Sequence, residues 1–280
     1  MQRYDIDSLD NRDPELIRRL CRVILEPGRR YFRSQARGLD RIPTGPGLYV
    51  GNHSGGMMTV DSFLLFGEVY EARGIADLPY CLGHEVAIQV PGIHQVIVPL
   101  GAVRASHDNA LRLFERGDKV MVYPGGDVDN QRPYRHRNRI VFGGRTGYIR
   151  LALRAGVPII PVVCAGGHET LIILDDFRWA ARLFRTGRWL RLNAMPVNLS
   201  VPWGLTVGPV FPFIPLPARI LMEVLEPVHF DRVGEDAAGD DAYVRRCADQ
   251  VEGLMQGTLD RLAAERRELG LRAKLRRLRL

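Results

Sequence analysis

Between residues 48 and 163 short apolar runs alternate with amphipathic stretches, and no other feature of the 280 residues narrows the fold so far. Residues 48–51, 97–100, 119–123 and 157–163 are too short for helices and almost wholly apolar, as strands buried on both faces are. Between them, residues 59–73, 106–117 and 146–155 have helical spacing; Ser106 suits an N-cap, and Gly74, Gly117 and Gly156 suit helix ends. Strand–helix–strand order with continuously apolar strands predicts an α/β fold. Its expected form is three layers, α/β/α, around a largely parallel central sheet.

The two ends read differently. Residues 14–25 predict a helix capped by Asp13, opened by Pro14 and stopped by Pro27, with Leu16, Ile17, Leu20, Cys21 and Ile24 as its apolar stripe. After Asp240 a long amphipathic helix is expected, with Val244, Cys247, Val251, Leu254, Leu259 and Leu262 on one side. The expected organisation is an N-terminal amphipathic helical segment over 1–36, the α/β domain over 37–232, and a C-terminal helix with a basic tail over 233–280.

The net charge of +7 is unevenly placed. Residues 266–280 hold seven basic residues against Glu268 alone, a net +6 that leaves +1 for the rest of the chain. Leu271, Leu275 and Leu278 recur there at helical spacing, so the tail is either an interfacial helix for anionic lipid or a solvated terminus. It offers no aromatic ring for a base to stack on, which argues against nucleic acid. The longest uncharged stretch, 192–218, could span a bilayer by length, but it contains six prolines, each removing a donor that lipid cannot replace. It is expected to be a proline-rich loop on the core, or a segment resting on a membrane through Trp203, Phe211 and Phe213. Cys21, Cys81, Cys164 and Cys247 stand singly, without zinc or redox-pair spacing; with no secretory signal, that favours a reducing cytosol.

Chemistry concentrates in two loops. His53 follows the strand 48–51 in a glycine-rich loop, and Asp61 opens the next helix. A carboxylate can fix one imidazole nitrogen while the other takes a proton from a hydroxyl; alternatively the pair is only a helix cap and a solvated ring. Ser54 is a poor nucleophile candidate, because Asn52 stands where a nucleophile elbow needs glycine. The second loop, Pro124-Gly125-Gly126-Asp127, follows strand 119–123 and is rich in backbone donors that could cradle an oxyanion, or else is simply solvated. Arg132, Arg135, Arg137, Arg139 and Arg145 follow, but no P-loop lysine does. If the two strands are parallel, both loops share the carboxyl-end rim, where open α/β sheets bind ligands.

Four blocks in order make the chain resemble the glycerolipid acyltransferase superfamily. They are Asn52-His53 with Asp61, Gly101-Ala102-Val103-Arg104, Pro124-Gly125-Gly126, and Val157-Pro158-Ile159-Ile160-Pro161-Val162. Arg145-Thr146-Gly147-Tyr148 and the later proline-rich stretch look like the diacylglycerol acyltransferase and transmembrane-protein-like branch. Seven residues separate His53 from Asp61 where the family usually has four, and Gly125 replaces the acid that many phosphate-using relatives carry. The resemblance implies His53 as general base and Asp61 as its orienting acid. It implies Arg104, Pro124, Gly125, Gly126, Asp127 and Arg145 as substrate-binding positions, with no metal or redox cofactor. Its implied partners are acyl-CoA or acyl carrier protein as co-substrate, a lipid acceptor and a membrane surface, with the protein peripheral on the cytoplasmic, inner face. Oligomeric state is left open. The competing readings are a lipid or thioester hydrolase and a non-catalytic lipid-binding protein.

Overall fold

The computed structural model describes residues 3–53, 55–56, 58–177 and 195–278. Ser54, residues 192–194 of the uncharged stretch, and the tail side chains beyond Leu271 lie outside the described residues. In chain order the strands are β1 Gln35–Arg37, β2 Gly47–Gly51, β3 Tyr80–Gly83, β4 Ala102–Arg104, β5 Lys119–Val122, β6 Ile159–Ala165, β7 Ile172–Asp175, β8 Val197–Ser200, β9 Gly204–Val207 and β10 Leu221–Val224. The helices are α1 Pro14–Phe32, α2 Val60–Arg73, α3 Glu85–Ile88, α4 Ile93–Ile97, α5 His107–Glu115, α6 Gly126–Asn130, α7 Gly147–Ala155, α8 Glu235–Gly239 and α9 Asp241–Leu278.

Seven strands form the central sheet in the order β1-β10-β6-β2-β5-β3-β4. All neighbours run parallel except β10, which pairs antiparallel with β6. Strand alternation divides the core into two. Leu48, Val50, Val120, Ile159 and Val163 pack with Leu113 of α5, Ile149 and Leu153 of α7, and Val251 and Leu259 of α9. Tyr49, Met121, Ile160, Val162 and Cys164 pack on the other face with Ile17 and Leu25 of α1 and Leu64 and Val69 of α2. The expected three-layer α/β/α architecture is therefore present, and its continuously apolar strands are apolar because both faces are covered.

Several elements depart from expectation. The run 97–100 is no strand: Ile97 ends α4, and the edge strand is Ala102–Arg104. A short apolar run does not distinguish helix from strand by periodicity. Pro27 does not end α1, which continues to Phe32 and closes on Arg33 in the left-handed region. A proline removes only the bond to the carbonyl four residues back, and Val23 there lies on an exposed face. Leu254 points outward from α9, whose buried stripe runs through Val244, Ala248, Val251, Met255, Leu259 and Leu262.

The uncharged stretch also folds. β7, β8 and β9 make a separate antiparallel sheet, with Pro196 just before β8, Pro202 in the connecting turn and Pro209 just after β9. Prolines at strand ends cost no ladder bond, so a proline-rich sequence can still build strands. Nor does the basic segment begin as a detached tail. Arg266 is mostly buried, its Nη1 lies 2.7 Å from Glu169, and its Nε donates to the Arg219 carbonyl at 2.7 Å. The helix then runs on to Leu278. Among the described residues no helix is long and apolar enough to cross a membrane.

Candidate active site

β5, β2 and β6 are adjacent and parallel, so the segments leaving their carboxyl ends meet on one rim. The loop after β2 is stitched to both neighbours. Asn52 pairs with the main chain of Cys164 on β6, donating from Nδ2 to its carbonyl at 2.9 Å and accepting its N–H at 2.8 Å. On the other side the His53 N–H donates to Asp129 Oδ2 at 2.6 Å, and the Gly56 N–H donates to the Asn130 carbonyl at 2.8 Å. Both acceptors come from α6, the turn of helix that follows β5. His53 thus stands at the junction of three strand ends with its main chain fixed from two directions.

The His53 ring is half-buried and lies 4.5 Å, centroid to centroid, from the Tyr123 ring. Tyr123 is tied through its hydroxyl to Ser62 Oγ of α2, and burial raises its phenol well above the usual value, which keeps it neutral. Asp61 is buried in the first turn of α2, where its Oδ1 accepts the Ser62 N–H at 2.9 Å. Its charge reaches the same cluster: the Cys164 thiol is pushed up first by burial and then by Asp61. His168, in the turn after β6, is a further buried imidazole. A methyl group built on Gly55 would meet its Nδ1 at 3.2 Å. Burial, with the charges of Arg132 and His53 adding, drives its basicity far down and leaves it neutral.

Beneath the loop lies an ion pair. Asp129 and Arg132 are 0% and 1% exposed and hydrogen-bonded to each other. Burial raises the Asp129 carboxyl to about 6, although Arg132 and the His53 N–H both pull it down. A buried pair of this kind is retained only with good geometry, and removing either partner strands the other charge. On sequence, Asp129 is, with Asp127, only a rival to Asp61 as partner for His53, and Arg132 is only one of five arginines. The signal for Arg132 was its i,i+3 spacing from Asp129.

The Pro124–Asp127 turn is clipped by one side chain. Arg145 Nη1 donates to the carbonyls of Pro124 and Gly125 at 3.1 and 2.8 Å, and Nη2 lies 3.0 Å from Asp127 Oδ1. Gly125 has no room for a side chain: a Cβ there would stand 2.3 Å from Asp129 Cβ and 2.4 Å from the Val141 carbonyl oxygen. The rim therefore gathers His53, Asp61, Pro124, Gly125, Gly126, Asp127 and Arg145. Arg104 closes the edge strand β4, three strands from β2 and so about 14 Å away across the sheet. It is held there by Asp7, at 2.8 and 2.7 Å.

A half-exposed imidazole on a fixed main chain, with a carboxylate in its cluster and a donor-rich turn beside it, can remove a proton from a hydroxyl and steady developing charge. A model of the Acyltransferase family matches residues 33–165. An uncharacterized protein of Mycobacterium tuberculosis is 28% identical over 240 residues, covering 85% of this chain and 64% of the relative. Diacylglycerol O-acyltransferase 1 of Eremothecium gossypii is 24% identical over 203 residues, covering 70% of this chain and 43% of the relative. The chain therefore spans less than two thirds of the length of these relatives. The crystal structure of the 1-acyl-sn-glycerophosphate acyltransferase PlsC from Thermotoga maritima shares the fold, with a TM-score of 0.54 at 18% identity over 90% of this chain and 84% of that one.

Proposed function

Residues 33–165 match the Acyltransferase family, and on that premise we propose that the chain is a glycerolipid acyltransferase that moves a fatty acyl group from a thioester to a lipid hydroxyl. His53 is the general base. Its imidazole takes the acceptor's proton as the oxygen attacks the thioester carbonyl; the new C–O bond forms, the C–S bond breaks, and the imidazolium returns the proton to the departing thiolate. Asp61 orients and charge-balances that ring. The donor turn at Gly125 and Gly126 steadies the carbonyl oxygen as it becomes negative. The thioester carrier is coenzyme A or acyl carrier protein.

The observation that carries this reading is the hold on the His53 loop, gripped by Asn52 on one side and Asp129 on the other. A positioned base needs that rigidity more than a solvated loop histidine does. Gly125 points to the acceptor class. Its position is closed to any side chain, so the acid that phosphate-using relatives place there has no counterpart, and a mono- or diacylglycerol is the proposed acceptor. The protein works at a membrane surface, on the inner face. Supporting this, the outward face of the small sheet is apolar: Leu174, Leu199, Leu205 and Val207 are exposed while Asn198 and Ser200 between them are buried. Trp203 and Phe211 are exposed as well, whereas Phe213 is buried. In sequence, residues 177–222 contain six arginines and no acid.

The test is incubation of purified protein with labelled acyl-CoA, or acyl carrier protein, and a mixed lipid extract. Acylated lipid is the expected product, and His53→Ala should lower its rate about 10²-fold or more while keeping the native fold. Free fatty acid without acylated lipid would turn the reading to a hydrolase. Undiminished transfer by folded His53→Ala would remove the mechanism.

A further inference from the structure

Five guanidinium groups converge beside the rim, outside all four sequence blocks. Arg33, Arg137, Arg219, Arg266 and Arg267 line one cavity of about 320 Å³, with Glu169 as its acid. They arrive from distant parts of the chain: the end of α1, the segment after α6, the approach to β10, and α9. Glu169 is already shared, 2.7 Å from Arg266 Nη1 and 3.4 Å from Arg137 Nε. Among the described residues no carboxylate lies within ion-pair distance of Arg33, Arg219 or Arg267. The lining therefore carries a formal +4 that the described part of the protein leaves uncompensated. Glu169 directly follows His168, whose ring packs against Gly55 of the His53 loop, so the cavity adjoins the candidate active site.

Folding gathers like charges into one concavity only against their mutual repulsion. Arg33 adds a backbone cost. It closes α1 at φ 45°, a position that usually falls to glycine. Planar guanidinium forks suit phosphoryl oxygens, which they grip in pairs, and several of them are needed to balance a dianion. A single carboxylate would leave most of this charge unmet. The volume accommodates a phosphoryl group with part of what bears it, and an acyl chain would need a longer apolar groove.

We propose that this cavity binds a phosphoryl anion. Two substrates could bring one: the carrier of the thioester, or a phospholipid headgroup. That the bound group belongs to a substrate rests on the acyl-transfer reading; that the cavity binds phosphoryl does not.

Titration calorimetry on the full chain tests this with two soluble probes, adenosine 3′,5′-bisphosphate for the carrier and dihexanoyl phosphatidate for the headgroup. Native protein should bind at least one, and Arg33→Ala/Arg267→Ala, which removes two exposed side chains, should weaken binding about tenfold or more. Arg266 is left in place because it holds Arg219 and Glu169 together. Arg18→Ala/Arg19→Ala, an equal charge loss on the exposed face of α1, should bind as native does. The probe that responds identifies the source. Absence of binding by both probes, unchanged binding in the cavity variant, or an equal loss in the α1 variant would each overturn the proposal. His53→Ala should bind the probe normally. A chain that transfers no acyl group but binds through Arg33 and Arg267 would end the enzymatic reading and leave this one standing.

Discussion

Asp129 Oδ2 accepts the main-chain N–H of His53 at 2.6 Å, so the loop after β2 is held from beneath by a carboxylate that the loop after β5 supplies. The same carboxylate is bound to Arg132, and both side chains are out of reach of water. Two strands' loops therefore share one buried charge pair, and the candidate base depends on it.

Arg132→Met should destabilise the protein by about 3–5 kcal/mol, because it leaves the buried Asp129 carboxyl without its charge partner. Arg132→Met/Asp129→Leu should lose less than Arg132→Met alone. Urea unfolding of the native protein, the two single variants Arg132→Met and Asp129→Leu, and the double variant decides it. A double variant as unstable as the sum of the two single changes would mean that the partners do not interact.

The raised Asp129 carboxyl predicts a signature in pH. The folded chain keeps a proton on this group up to about 6, whereas the unfolded chain releases it near its ordinary value of 3.8. Its contribution to stability is therefore full below about 4 and is lost as pH rises through 6. Asp129→Asn does not titrate there. The native melting temperature minus that of Asp129→Asn should fall between pH 4 and pH 7; a flat difference would show that Asp129 is ionised throughout.

Gly125→Ala is expected to cost about 1–3 kcal/mol, the usual penalty of forcing a methyl into filled space, and to lower transfer by displacing α6. Thermal unfolding and turnover measured on the same preparation should fall together. Wild-type stability would mean that the turn yields easily, and the steric argument for the acceptor would lapse with it.

Membrane attachment should depend on the small sheet. Leu205 and Val207 are 66% and 69% exposed, and replacing both with Asp should weaken co-sedimentation with anionic vesicles. Truncation should begin after Leu271, since Arg266 belongs to the body. A contribution from the removed basic residues should shrink with salt, which screens exposed charge over about 8 Å at physiological ionic strength. The aspartate variant binding vesicles as the native chain does would exclude this face.

Much of the architecture was legible because the strongest signal, strands apolar at every position, has one common cause. Leu48, Tyr49 and Val50 can all be buried only between two helical layers, and that predicts parallel neighbours and a shared rim. β3 and β10 escaped because their environment, not their pattern, makes them strands; β10 even reverses direction. In the site, His53, Asp61 and the Pro124–Asp127 turn were visible as motif residues. Asn52's grip on Cys164 spans 112 residues, and the burial of Asp129, Arg132 and His168 is something that spacing cannot report.

Gly125 and Asp129 compete for the same volume, since a Cβ on the first would stand 2.3 Å from Cβ of the second. The two positions are in that sense a single evolutionary character. An acid cannot be installed at 125 while Asp129 keeps its place beneath His53, and Asp129 cannot be given up without stranding Arg132. A lineage moving between the two arrangements must change three residues nearly together or pass through crippled intermediates. The contact is thus an epistatic lock that ties the residue at 125 to the charge pair buried beneath it.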